Sequence, residues 1–190
     1  MRAGARTING AAYRASLVGA TIVTALLGEP AIAATQGDIG ATTTGLVAIS
    51  ASVPNRARIT GLSDVAFTNQ NPTTAASRAQ NVCVWSNTAT KRYAIIATGS
   101  GAANAFTLAN GTLTVRYSVR WNAAAGQTTG TALTSGTSSA VLTSTATHQT
   151  CASGPTASSS LIVGISTANL STMRAATTYA GTLTLVVTPQ

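Results

Sequence analysis

Few side chains in this sequence can move a proton or hold a charge at a reaction centre. There is one histidine, His148, in "ATHQTC", and three carboxylates, Glu29, Asp38 and Asp64. General acid–base catalysis needs positioned groups of suitable pKa, and glycoside hydrolysis needs two carboxyls facing one bond. Asp38 falls in a Gly- and Thr-rich tail and Asp64 in a "GLSDV" turn, so the pattern supplies no such pair. A Ser-His-Asp relay through His148 would call for a strained nucleophile turn, and no Gly-x-Ser-x-Gly surrounds any serine. Cys83, Cys151 and His148 are too few for a zinc site, and no acidic loop has calcium-binding spacing. The Gly99-Ser100-Gly101 triplet lies between strand-like runs rather than ahead of a helix, which makes it a turn and not a dinucleotide fingerprint. The expectation is a protein that is not an enzyme, with no catalytic residues, no metal and no cofactor.

The other candidate chemistry is covalent. Cys83 and Cys151 are the only cysteines, and an even count in an exported domain reads as one disulfide. Export is expected from the start of the sequence. Arg2, Arg6 and Arg14 form a basic stretch, and "ASLVGATIVTALL" is uncharged and apolar over residues 15–27. Glu29 and Pro30 break it, and Ala31-Ile32-Ala33 has the small-x-small form of a cleavage site. Residues 1–33 are thus read as a signal peptide, the alternative being a short amphipathic membrane anchor; the apolar run is short for a span.

Beyond residue 33 the charge is lopsided. Arg56, Arg58, Arg78, Lys91, Arg92, Arg116, Arg120 and Arg174 face only Asp38 and Asp64. This is either a solvated surface with a positive bias or an affinity for anionic glycans or a negative partner surface. The cations never run more than two together and no aromatic–basic pattern accompanies them, which argues against nucleic acid.

These residues must be carried by strands. Thr, Ser, Ala, Gly and Val dominate, apolar residues alternate with hydroxyl ones, and no sustained 3.6-residue period follows residue 34. Strand-like runs are expected at 42–54, 82–86, 92–99, 113–121, 159–166 and 179–188, with a short one at "TALT", and residues 68–81 read as a loop. Asn110-Gly111 is expected to be the central pair of a two-residue hairpin turn. In the strand after it, Leu113, Val115, Tyr117, Val119 and Trp121 fall on the core face, with Arg116 and Arg120 towards solvent. Seven to nine short strands indicate a single all-β domain over residues 55–190, an immunoglobulin-like Greek-key sandwich.

The two ends carry the most complete apolar faces. Val47, Ile49, Ala51 and Val53 share one side of "TTTGLVAISASVP", and Leu183, Leu185 and Val187 share one side of "YAGTLTLVVTPQ". An unpaired apolar strand is an aggregation hazard. It is accounted for in two ways: residues 34–54 pair with another chain by β-augmentation, or they fold back as the domain's own first strand.

Four blocks, "VAISASVP", "CVWSN" with the following "YAIIATG", "LANGTLTVRYSVRW" and "YAGTLTLVVTPQ", resemble subunits of chaperone–usher fimbriae. The similarity is to the archaic or alpha branches, which include spore coat protein U-like and colonisation-factor-type pilins, although the cysteine placement departs from some members. The resemblance implies a sandwich lacking one strand. It implies a donor strand through Val47, Ile49, Ala51 and Val53 of a neighbouring subunit, in a head-to-tail polymer. It also implies a periplasmic chaperone beside Leu183, Leu185 and Val187, an outer-membrane usher, and a place at the cell surface in adhesion or biofilm. The competing expectation is a secreted, self-complete carbohydrate- or surface-binding module, with an exposed cluster among Trp85, Tyr93 and the arginines.

Overall fold

Alternation of apolar and hydroxyl residues sends every second side chain to one face of an extended chain, and the computed structural model shows a protein assembled from such strands. It describes residues 34–190; the expected signal peptide lies outside them. The chain divides between Ser52 and Val53.

In the first unit Thr35 and Leu46 form an antiparallel bridge, each N–H donating to the other's carbonyl at 3.0 and 2.9 Å. Residues 47–52 are in neither helix nor strand. The strand expected over 42–54 is therefore not formed in the single chain. Leu46, Val47 and Ile49 are 65, 75 and 91 % exposed. An apolar extended segment becomes a strand only against an edge that takes up its main-chain groups.

The second unit holds the sheets. Its strands are β1 (Ala57–Thr60), β2 (Ala76–Ser86), β3 (Arg92–Gly99), β4 (Thr107–Asn110) and β5 (Leu113–Arg116). They continue with β6 (Ser118–Asn122), β7 (Thr131–Ala132), β8 (Leu142–Thr143), β9 (Ser159–Ile165) and β10 (Leu183–Pro189). One short helix, α1 (Thr167–Leu170), is capped by the Ser166 hydroxyl, which accepts from Asn169 N–H. The sheets run β1-β2-β9-β6-β7, β10-β3-β8 and β4-β5, and the ladders are antiparallel. The protein is an all-β sandwich.

The core lies between the inner faces. Val82 and Val84 of β2, Tyr93, Ile95 and Ala97 of β3, Val119 and Trp121 of β6, and Leu161, Val163 and Ile165 of β9 are all buried in it. Its polar centre is satisfied: Trp121 Nε1 donates to Tyr93 Oη at 3.1 Å, and Tyr93 Oη and Ser159 Oγ are 2.9 Å apart. Cys83 and Cys151 form the disulfide, with a sequence separation of 68. They pack with Ala146 and Trp85 in a separate small cluster.

Four local expectations are corrected. The hairpin pairs Asn110 with Leu113, so its central residues are Gly111 and Thr112. Only Gly111 has positive φ, at 58°; a glycine followed by another residue suits a II′ turn, and the Asn110 amide is used elsewhere, donating to Thr178 O at 2.7 Å. Residues 76–81, expected in a loop, extend β2. The run 113–121 is two strands, because the chain leaves β4 at Tyr117 and joins β9. Tyr93, expected exposed if the chain is a self-complete binding module, is fully buried, since β3 turns its odd-numbered residues into the core.

Candidate functional site: an open-edged apolar groove

The last strand has one free side. β10 ends its sheet, paired with β3 alone. Ser100 N–H donates to Thr182 O, and Gln190 N–H donates to Arg92 O, each at 3.0 Å. In an antiparallel ladder such bonded pairs recur at every second residue. Thr184, Val186 and Thr188 therefore turn their main-chain groups to β3, and Leu183, Leu185 and Val187 turn theirs to the open side. Side chains alternate with the same period, so these three residues also point inward, as the half-buried pattern of β10 records. The same residues thus offer both an apolar surface and unpaired main-chain donors and acceptors.

The opposite wall is the stretch after β1. Val65 and Phe67 are half-buried and pack against the core, while Leu62, Asp64, Ala66 and Thr68 are exposed. This stretch is anchored by side chains. Gln80 Oε1 accepts from Ser63 N–H at 2.8 Å, and Gln80 Nε2 donates to Ser63 O at 3.0 Å. Arg78 lies over the Phe67 ring, 5.8 Å from its centroid. Val65 and Phe67 therefore stay on the groove although no strand is hydrogen-bonded to their backbone.

Between the walls is a groove of about 1010 Å³, floored by Leu161, Val163 and Ile165 of β9 with Leu170 and Met173. Leu183 and Leu185 line it; Val187 does not. From Tyr179 to Leu185 the wall is about 20 Å long at the usual antiparallel rise. Sequence reading found the β10 residues but missed Val65, Phe67 and Met173. Phe67, in "DVAF", was the available signal.

The groups suited to other chemistry lie apart. His148 Nδ1 is 2.9 Å from Thr150 Oγ1 in the loop beside the disulfide. Asp64 lines the groove with no second carboxylate beside it. Among the described residues no group of three His, Cys, Asp or Glu is placed to hold a metal ion. No model of a known protein family and no curated protein matches the chain.

Proposed function

We propose that this chain is a structural subunit of a surface fimbria, polymerising head to tail when its N-terminal segment enters the groove of the next copy. The observation that carries the reading is a complementary pair. Leu183, Leu185 and residues 62–68 border a groove with an apolar floor and unsatisfied main chain on the β10 side, and Leu46, Val47, Ile49 and Val53 form an exposed apolar segment. Main-chain bonds along β10 would give affinity, and alternate side chains on the floor would give register. In this reading the sandwich is immunoglobulin-like and lacks one strand. A head-to-tail contact of this kind does not close on itself, so it builds a filament. The disulfide suits passage through an oxidising compartment. Export through the periplasm, a periplasmic chaperone holding the groove beforehand and an outer-membrane usher complete the proposal.

The test compares the chain from residue 34 onwards, exported without a chaperone, with one lacking residues 34–53. Both are run unboiled on a denaturing gel and by size exclusion. A ladder or aggregate that disappears on deletion, with the deleted form rescued by a peptide of residues 42–54, supports strand donation. A clean monomer from the first chain, unfolded by the deletion, refutes it.

A further inference from the structure

Six of the seven aromatic residues in 53–190 belong to the main core: Phe67, Phe106, Tyr117, Trp121 and Tyr179 pack there with Tyr93. Trp85 is the exception. It lies on the outer face of β2 and is half-buried. Its indole N–H has no partner among the described residues, whereas that of Trp121 is bonded to Tyr93.

Its surroundings are cationic. In the β1–β2 register Arg58 is the direct cross-strand partner of Trp85, which places their Cβ atoms about 5 Å apart on one face. Arg56, two residues earlier, is diagonal to the ring on the same face. Its backbone is held there by Asn87: Arg56 N–H donates to Asn87 Oδ1 at 2.6 Å, and Asn87 N–H donates to Arg56 O at 3.0 Å. Both arginines are exposed. Asp64, the one side-chain carboxylate of residues 53–190, lines the groove instead. Trp85 rests on the Cys83–Cys151 cluster, so the platform is braced from beneath.

We infer that this face binds an acidic polysaccharide, a sugar ring stacking on Trp85 while its carboxylate or sulfate is held by Arg56 and Arg58. A guanidinium binds two oxygens of a carboxylate or sulfate through two parallel N–H donors, and an aromatic plane with a free N–H suits the apolar side of a pyranose ring and one of its hydroxyls. A single-stranded nucleic acid would instead call for a row of stacking aromatics along a basic track, and β1 and β2 carry one aromatic ring on this face. The inference does not rest on strand donation, because a monomer and a filament both present the face.

The test uses the full chain at physiological salt, with a sulfated probe (heparin oligosaccharide), a carboxylated one (oligogalacturonate) and neutral dextran. Tryptophan fluorescence and affinity are both read. At least one acidic probe is expected to bind saturably and change the fluorescence, the two together showing which oxyanion is preferred, while dextran does neither. Arg56→Gln with Arg58→Gln should weaken binding by about tenfold or more. Arg116→Gln with Arg120→Gln, an equal loss of charge elsewhere, should change it by less than about twofold. Trp85→Phe should remove the fluorescence response. Equal losses from the two arginine pairs would reduce the effect to net charge and overturn the inference. So would a response that survives in Trp85→Phe, binding to neither acidic probe, or a single-stranded oligonucleotide that displaces the sugar at lower concentration.

Discussion

Ile49→Ala separates the two states in which Ile49 would find itself. In the single chain Ile49 is 91 % exposed. Truncating a side chain already in water changes stability by no more than about 0.5 kcal/mol. Seated in the groove of a neighbour, the same side chain would meet Leu161, Val163 or Ile165 on the floor and Leu183 or Leu185 on the wall. Large-to-small changes in packed cores cost about 2–5 kcal/mol. The half-buried groove wall can relax into the space left, so the lower part of that range applies. At about 2–3 kcal/mol the affinity falls roughly 30- to 150-fold. The assay is calorimetric titration of peptides 42–54, with Ile or Ala at position 49, into full-length chain carrying Val47→Asp and Ile49→Asp. That chain keeps its groove and cannot donate. A thermal melt of monomeric Ile49→Ala, compared with the unaltered monomer, provides the control. Equal peptide affinities would refute the reasoning, and so would a monomer whose melting temperature falls by several degrees.

Three further outcomes are expected. Burial raises the Tyr93 phenol above its ordinary 10.0, partly offset by its bonds to Ser159 and Trp121. The folded state then holds that proton more tightly than the unfolded chain. This contribution is complete below pH 10 and is lost as the pH rises towards the folded value, which urea titrations on either side of pH 10 will show. Reducing Cys83–Cys151 frees a loop with a separation of 68 residues and should lower stability by about 4 kcal/mol in the chain-entropy model, measured by denaturation with and without reductant. Gly111 has open space around its Cβ position but a φ of 58°. Gly111→Ala should therefore cost about 1–2 kcal/mol from backbone strain alone, read from paired melts.

Much of the sandwich is legible from residue alternation. Leu113 to Trp121 and Tyr93 to Ala97 point as their spacing requires, because each apolar face meets an apolar layer. The first half of β2 is not legible, and the reason is physical. By register with Val163 and Leu161, Arg78 and Gln80 occupy its inner face. Gln80 is half-buried and hydrogen-bonded to Ser63, while Arg78 stays exposed and lies over the Phe67 ring. A polar residue on a core face hides a strand from any reading based on hydropathy. The groove was half-legible for a related reason: the β10 residues alternate, whereas the wall at 62–68 is held by side chains 17 residues away in sequence. The outer-face position of Trp85 was hidden too, since both faces of β2 near Cys83 are covered, one by the main core and one by the disulfide cluster.

The alternation of β10 also sets a rhythm for isotope exchange. Hydrogen exchange follows the bonding of each amide rather than the burial of its side chain. The amides of Thr184, Val186 and Thr188 should exchange slowly although their side chains face solvent. Those of Leu183, Leu185 and Val187 should exchange quickly although theirs face the core. One strand would thus give a protected–unprotected pattern with a two-residue period, the reverse of its burial. Any strand that docks on the open edge would even the pattern out, so deuterium uptake along seven residues reports whether the groove is occupied.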